Sequence, residues 1–248
     1  MKRFVITTLV ACSVCGTTMH IHPAINTIDQ FSAQSVPVYK PDNTVFLVDF
    51  HHVLARFDVK EAWKNFRQHP KKAHLASRIF TYVKNKYVFP QLFKEPKESV
   101  LEFYLNKNEV SPETIQLNNR LVNSFTIDQK TLKLLKTLKN KGYKLILFSN
   151  MPDVSLRIQQ QRHPDVFKLF DALWVRTANN KYSSKNDMSA FDQIKIVSEN
   201  VLLRKPERYI FFDDNAGNIS RATQAGICGI LFTNAEQAEK KLKKMAIL

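Results

Sequence analysis

Five short apolar runs recur along the chain from residue 44 onwards, and they constrain the fold more than any other feature. They occupy residues 44–49, 144–149, 172–175, 209–213 and 230–233. A strand that is buried on both faces of a parallel sheet has this continuous apolar character, whereas a strand with one face in water alternates apolar and polar residues. The runs therefore predict five strands of a buried parallel sheet.

Helical patterns lie between these runs. They cover residues 128–140, 188–200 and 218–225. The apolar stripe of the first helix consists of Leu132, Leu134, Leu135 and Leu138. Gly142 follows at the position where a glycine commonly ends a helix. Because strands alternate with helices, we predict an α/β fold in which a parallel sheet lies between helical layers.

The glycines and cysteines exclude several classes of protein. The chain has five glycines, and their spacing fits neither G-x-G-x-x-G nor G-x-x-x-x-G-K-[ST]. A dinucleotide-binding fingerprint and a Walker P-loop are therefore excluded. Three cysteines are too few for a disulfide scaffold, and no second C-x-x-C pair completes a structural zinc site. The fold must be stabilised by packing of its core.

One segment interrupts the alternation of strands and helices. Between residues 56 and 126, the helical stretches 61–67, 73–84, 99–105 and 112–122 are separated by prolines, and no buried strand is evident. Proline is unfavourable inside a helix and marks the ends of such stretches. We predict an all-helical insertion over residues 56–126, with the α/β core formed by residues 44–55 and 127–248.

The N-terminus has the pattern of a secretory signal. Lys2 and Arg3 precede an apolar run at residues 4–15, which ends at Gly16. This run is shorter than the ~20 residues needed to span a bilayer as a helix. We predict a signal peptide at residues 1–16, a linker at 17–43, and export to the periplasm or medium. The residues before Cys12 also resemble a lipobox, so a lipoprotein anchored through Cys12 is the alternative.

Polar side chains stand where the predicted strands end. Asp49, Ser149 and Asn150 follow the first two strands, and Asp213 and Asp214 follow the fourth. Ligands of doubly wound sheets bind at the carboxyl ends of the strands, so we expect these side chains to converge there. Oxygen ligands of this kind suit Mg²⁺, and the same edge suits a phosphate group.

The polar residues form four motifs in a recognisable order. These are residues 49–53, matching D-x-D-x-[TV] except at His51; 145–150; Lys185 with Phe191; and 211–214 with Asn218. From residue 44 onwards the chain resembles the haloacid dehalogenase (HAD) superfamily, most members of which are Mg²⁺-dependent phosphatases that form an aspartyl-phosphate. The resemblance implies a Rossmann-like, three-layer core with a helical cap between the first two motifs.

The resemblance also implies a role for each motif residue. Asp49 is the nucleophile, and Lys185 neutralises charge on Asp49 and the phosphate. Ser149 and the Asn150 backbone donate hydrogen bonds to phosphoryl oxygens. The Mg²⁺ ligands are Asp49, the backbone carbonyl of His51, Asp213 and Asp214; His52 and Asn218 are secondary residues of the site. Lys181 is an alternative to Lys185 as the motif lysine.

His51 is the departure from the family pattern that bears most on function. The family's second aspartate protonates the leaving group and then activates water. A histidine with a pKa near ~6.5 is able to transfer these protons. We therefore expect a hydrolase, a phosphoric monoester phosphatase in which His51 replaces that aspartate. The alternative is a catalytically degenerate, secreted or surface binding protein that retains the fold.

The charge of the chain is strongly positive, with Lys+Arg 37 against Asp+Glu 22. Residues 56–94 of the predicted cap contain ten lysines and arginines but only two acidic residues. If this cap borders the cleft, its charge attracts anionic substrates. No nucleic-acid recognition motif is present. We expect a small phosphorylated molecule as partner, no nucleic acid, and contact with a membrane only if Cys12 is lipidated.

Overall fold

The computed structural model describes residues 38–67, 120, 122–176 and 184–248. Several predicted features lie outside the described residues. They are the signal peptide at residues 1–16 with Cys12, most of the linker, most of the insertion, and Lys181. No helix in the part that is described is long and apolar enough to cross a membrane.

The described chain contains seven strands and seven helices with assigned bounds. The strands are β1 Thr44–Val48, β2 Ala55–Phe57, β3 Phe125–Ile127, β4 Lys144–Pro152, β5 Ala172–Arg176, β6 Arg208–Asp213 and β7 Cys228–Leu231. The helices are α1 Val59–Arg67, α2 Gln129–Asn140, α3 Asp153–Arg162, α4 Pro164–Phe167, α5 Met188–Leu202, α6 Ala216–Gln224 and α7 Ala235–Lys244.

Five of the strands form one parallel sheet in the order β5-β4-β1-β6-β7. All four pairs of neighbouring strands are parallel. Val48 of β1, for example, lies opposite Leu147 of β4 and Phe212 of β6. All five apolar runs in the sequence form strands of this sheet, which confirms the predicted fold class. The bounds differ by one residue at β1, β5 and β6 and by more at two strands: β4 continues to Pro152, and β7 covers Cys228–Leu231 rather than residues 230–233.

Helices cover both faces of the sheet. Along β1, Phe46 and Val48 belong to a core with residues of α2, α3, α4 and α7, whereas Val45 and Leu47 belong to a second core with residues of α5 and α6. Successive side chains of a strand point to opposite faces, so four of the apolar runs contribute to both cores. The run of the edge strand β7 contributes Ile230 and Phe232 to the first core only. This arrangement is the predicted three-layer α/β architecture.

Helix α2 begins and ends as its sequence indicates. The Asp128 side chain accepts a hydrogen bond from the Thr131 N–H at 2.9 Å, which caps the N-terminus. Gly142 follows the C-terminus with φ of +89°, a left-handed conformation that glycine adopts without strain. The glycine that marks the end of this helix in the sequence therefore follows its actual C-terminus, and Asp128, the first residue of the predicted stretch, is its N-cap.

The prediction that the insertion contains no strand is wrong at its two ends. β2 and β3 pair antiparallel, with Ala55 opposite Ile127 and Phe57 opposite Phe125. This two-stranded ribbon includes residues at both ends of the predicted 56–126 segment. Three-residue strands are too short to produce a periodic sequence pattern, and their partners are far apart in the chain. The predicted helix at 61–67 lies within α1, and the insertion from 68 to 119 lies outside the described residues.

Candidate active site

The carboxyl ends of three adjacent strands bring the predicted polar residues together. β1 lies between β4 and β6 in the sheet. Asp49 directly follows β1, Asp213 ends β6, and Ser149 lies in the last part of β4. All three residues are buried, with Asp213 fully inaccessible to solvent. Buried carboxylates require hydrogen bonds or an opposite charge, so their partners define the chemistry of this site.

Lys185 supplies that opposite charge. Its Nζ atom lies 3.0 Å from Asp49 Oδ1 and 2.5 Å from Asp213 Oδ2. The residue is only 1% exposed, and the ammonium also lies 5.8 Å and 5.5 Å from the ring centroids of Phe148 and Phe211. The structure therefore brings Lys185 into the site, as its motif predicts. Lys181 lies outside the described residues.

The two carboxylates keep Lys185 protonated. Burial lowers the pKa of the Lys185 ammonium, but attraction to Asp49 and Asp213 outweighs this effect and raises the pKa above its usual value. The pKa of Asp213 is raised by burial and by repulsion from Asp49, against the lowering effect of Lys185. Lys185 is thus a buried cation that joins two acidic strand ends.

Asp213 is further held by residues that begin α6. The Asn218 Nδ2 atom lies 3.1 Å from each carboxylate oxygen of Asp213, and the Asn215 N–H donates to Asp213 Oδ1 at 2.8 Å. Asn215, rather than either aspartate, caps the helix, because its Oδ1 accepts from the N–H groups of Gly217 and Asn218. Asp213 consequently has a single defined orientation.

Asp214 completes a cluster of three carboxylates. One oxygen from each of Asp49, Asp213 and Asp214 lies within 4.8 Å of the others. Although Asp214 is an exposed residue, partial burial of its carboxylate and repulsion from Asp49 and Asp213 raise its pKa to about 7. When all three carboxylates are ionised and Lys185 is protonated, the cluster has a net charge of about −2, by simple addition of formal charges. Hard oxygen ligands with this charge excess fit a divalent cation such as Mg²⁺.

Ser149 and Asn150 lie beside this cluster, in the last part of β4. Ser149 is buried, and its Oγ accepts a hydrogen bond from the Met151 N–H at 3.3 Å. The Asn150 side chain has a contact that the motif does not predict: its Oδ1 accepts from the backbone N–H of Lys185 at 2.8 Å. Residues from β4 therefore contact the segment that carries the lysine.

The loop after β1 contains the two histidines. Its backbone turns tightly, because the Phe50 carbonyl accepts hydrogen bonds from the N–H groups of Leu54 and Ala55. His52 has φ of +60°, a conformation uncommon for a residue with a side chain. The His51 ring lies 5.2 Å from the Phe50 ring and 4.6 Å from the Phe125 ring in β3. His51 thus lies where the loop after β1 meets the β2–β3 ribbon.

Arg221 makes a second contact that the motifs do not predict. One guanidinium nitrogen, Nη1, lies 3.4 Å from the Lys185 carbonyl and 3.2 Å from Asn218 Oδ1. Arg221 follows Asn218 by three residues, so both side chains project from the same face of α6. In the sequence, this spacing indicates that Asn218 and Arg221 are neighbours on the helix. It gives no indication that Arg221 contacts Lys185.

Phe191 of the third motif belongs to the core beneath the site. It is fully buried, and its ring centroid lies 5.4 Å from Phe148 and 6.3 Å from Phe211. The same two rings face the Lys185 ammonium. The spacing between Lys185 and Phe191 therefore reflects packing of α5 under the buried lysine.

Solved structures share this arrangement of strands and helices. A predicted HAD-like family hydrolase from Porphyromonas gingivalis superposes with a TM-score of 0.54 at 19% identity, over 82% of this chain and 97% of that one. A hydrolase from Streptococcus pneumoniae gives a TM-score of 0.53 at 14% identity, over 81% and 98% of the two chains. The chain has the haloacid dehalogenase fold.

A third structure with the haloacid dehalogenase fold contains ligands. It is an aspartate-to-alanine variant of a HAD family enzyme from Bacteroides thetaiotaomicron, in complex with magnesium and inorganic phosphate. Its TM-score is 0.52 at 16% identity, over 76% of this chain and 93% of that one. No protein-family model and no curated protein matches the sequence. The fold that the four motifs predict is therefore confirmed by structural similarity.

Proposed function

We propose that the protein is a Mg²⁺-dependent phosphatase that acts on a small phosphorylated molecule through an aspartyl-phosphate on Asp49. The observation that carries this proposal is the buried Lys185 ammonium between Asp49 and Asp213, next to Asp214. A buried cation among three carboxylates is arranged to bind anionic and cationic groups together. The structures with the HAD fold, one of them solved with magnesium and phosphate, support the same reaction class.

Asp49 is the proposed nucleophile. The Lys185 ammonium and the Phe50 N–H both engage Asp49 Oδ1, at 3.0 Å and 2.8 Å, and so hold the carboxylate in one orientation. An Asp49 oxygen attacks phosphorus, and the bond between phosphorus and the leaving-group oxygen breaks. Lys185 stabilises the negative charge on the transferred phosphoryl group, and Ser149 donates a hydrogen bond to it. Fixed orientation lowers the entropic part of the barrier.

His51 is the proposed acid and base. Its imidazolium gives a proton to the leaving alkoxide, and the neutral imidazole then takes a proton from the water that attacks the aspartyl-phosphate. That second attack breaks the bond between Asp49 and phosphorus and releases inorganic phosphate. Asp49 and the protonated His51 are thereby regenerated, and no other reactant is required.

The carboxylates of Asp49, Asp213 and Asp214, with the His51 carbonyl, are the residues that would hold Mg²⁺. When bound, the ion supplies charge neutralisation for the phosphoryl group. The chain contributes the arrangement of these oxygens, because Asn218 and Asn215 orient Asp213, and Phe50 and Lys185 orient Asp49. These contacts orient two of the four proposed ligands, Asp49 and Asp213.

A catalytically degenerate binding protein is the second candidate. The observation in its favour is the imidazole of His51, whose ring lies 4.6 Å from Phe125, at the position where the superfamily has an aspartate. On this alternative, the site binds a phosphorylated ligand without turnover, because proton transfer to the leaving group is lost.

Hydrolysis of an aryl phosphate by the purified full-length chain tests the proposed function. We expect turnover that depends on Mg²⁺ and is abolished by Asp49→Asn, because an amide is a poor nucleophile. Asp165→Asn is the matched control, since the Asp165 side chain is 89% exposed and paired only with Lys168 among the described residues. Turnover that survives in Asp49→Asn would contradict the mechanism. Phosphate binding without turnover across a broad substrate panel would favour the degenerate alternative.

A further inference from the structure

We propose that Asn150 and Arg221 clamp the main chain of Lys185 from two sides and thereby position its ammonium between Asp49 and Asp213. We call these two residues the Lys185 clamp. The inference deepens the proposed function, since it rests on Lys185 acting at the phosphoryl group. The side chains of the clamp contact the Lys185 main chain and Asn218 rather than the attacking carboxylate of Asp49, so both are positioning residues.

The two contacts of the clamp fall on the two sides of one residue. On one side, the Lys185 N–H donates to Asn150 Oδ1 at 2.8 Å. On the other side, Arg221 Nη1 lies 3.4 Å from the Lys185 carbonyl. Asn150 belongs to β4 and Arg221 to α6, so two separate elements of the core hold the backbone of Lys185.

Lys185 needs such support because no regular element contains it. It precedes α5, which begins at Met188. A local turn shapes this segment. In it, the Asp187 N–H donates to the Ser184 carbonyl at 2.7 Å, and the Asn186 N–H donates to Ser184 Oγ at 3.2 Å. These bonds set the turn itself but do not join it to the sheet. The Lys185 clamp makes that connection.

Arg221 also fixes the orientation of Asn218. A guanidinium has only hydrogen-bond donors, so the Asn218 atom that lies 3.2 Å from Arg221 Nη1 must be the oxygen. The amide nitrogen of Asn218 is consequently the atom that faces both oxygens of Asp213. One Arg221 nitrogen thus helps to position the Lys185 backbone. Through Asn218, it also orients the Asp213 carboxylate that the Lys185 ammonium contacts.

Loss of the clamp should affect the chemical step more than binding. A lysine side chain has four rotatable bonds, and a displacement of about 1 Å at a reacting group costs as much as ~100-fold in rate. We expect Arg221→Met to lower kcat by about 10- to 100-fold with a smaller change in KM. Arg221→Lys keeps one donor and should recover part of the loss. Arg157→Met is the matched control, because Arg157 is exposed and pairs with Asp153 on α3.

Hydrogen exchange of the Lys185 amide tests the clamp without any substrate. We expect the exchange rate in the ¹⁵N-labelled full-length chain, measured by NMR, to rise about tenfold or more in Asn150→Ala and to rise also in Arg221→Met. Asn150→Asp retains an acceptor oxygen and should keep most of the protection. The Val48 amide in β1 serves as an internal reference that separates local opening from global unfolding.

The outcomes separate this inference from the proposed function. Unchanged exchange at Lys185 in both Asn150→Ala and Arg221→Met would overturn the clamp, whatever the activity. Faster exchange with kcat as in the wild type would overturn its positioning role. Faster exchange in a chain whose wild type has no phosphatase activity would support the clamp and refute the proposed function alone.

Discussion

The imidazole of His51 lies with its ring 4.6 Å from Phe125, a residue of the ribbon that leads into the insertion. A smaller acidic side chain at this position would lose that ring contact. On the proposed mechanism, a carboxylic acid and an imidazole perform the same proton transfers. The substitution that distinguishes their efficiency is therefore His51→Asp.

We expect His51→Asp to raise the turnover of an aryl phosphate, because it restores the carboxylic acid that the motif pattern has at this position. The rise should be about tenfold, below the full contribution of acid–base catalysis. His51→Asn is the matched control: it removes the imidazole without adding an acid and should lower turnover. A lower turnover in His51→Asp, measured as kcat, would show that His51 is adapted to its role.

At the scale of elements, Asp171 joins α2, β4 and β5. Its carboxylate accepts from Lys139 Nζ at 2.5 Å, from Lys144 Nζ at 3.1 Å and from the Leu145 N–H at 3.0 Å. Burial raises the pKa of Asp171, but these hydrogen bonds and charges outweigh it and hold the pKa below its usual range. The ionised form is therefore the one that stabilises the fold.

We expect Asp171→Asn to lower the free energy of unfolding by about 1–3 kcal/mol at pH 7, the usual cost of removing charged hydrogen bonds from a partly buried group. In the wild type this stabilisation is fully present above the unfolded-state pKa of ~3.9 and is lost as the pH falls through the lower folded-state pKa. Urea unfolding should show a constant difference between the two proteins from pH 7 to about pH 4 and a shrinking difference at lower pH. A difference that stays constant down to about pH 2 would contradict this account. The exposed Asp165→Asn should not change stability measurably.

The contact between β7 and α6 explains why Gly229 occupies its position. A Cβ atom added there would lie 2.7 Å from the Ile219 Cγ2 atom and 3.2 Å from the Ile219 carbonyl oxygen. The absence of a side chain thus lets α6 pack directly on the last strand. The helix that carries Asn218 and Arg221 depends on this close approach for its position beside the site.

At the scale of the whole molecule, the positive charge is distributed more widely than the predicted cap. Helices α2 and α7, which cover the same face of the sheet, contain four lysines each. The two glutamates of α7 pair with Lys130 and Lys243, both at 2.6 Å. A substantial part of the positive excess therefore lies on one helical layer as well as in the insertion, and it is not specific to the cleft.

We also propose that the chain is exported, with residues 1–16 as its signal. Intact-mass measurement of the natively expressed protein should show removal of these residues. Val10→Asp places a charge in the apolar run and should leave the chain uncleaved. Cys12→Ala should change the mature mass only if Cys12 is lipidated. An intact Met1 on the wild-type chain would contradict export by this route.

Local patterns in the sequence were enough to predict the sheet, its flanking helices and the strand ends that meet at the site. Apolar runs and helical stripes involve neighbouring residues, and parallel strands necessarily bring Asp49, Ser149 and Asp213 to one edge. The order of the motifs added Lys185. These positions were predictable because each depends on nearby residues, on a rule of sheet topology or on a family resemblance.

The side chains that hold these residues in place became apparent only from the packing of distant segments. Asn150 and Arg221 are separated from Lys185 by 35 and 36 residues. Arg56 and Asp128, which pair at 2.7 Å at the end of the ribbon, are separated by 72 residues. The β2–β3 ribbon likewise pairs segments from the two ends of the insertion. Contacts between distant residues depend on how elements pack and on the directions of individual side chains, and a single sequence contains no periodic signal for either.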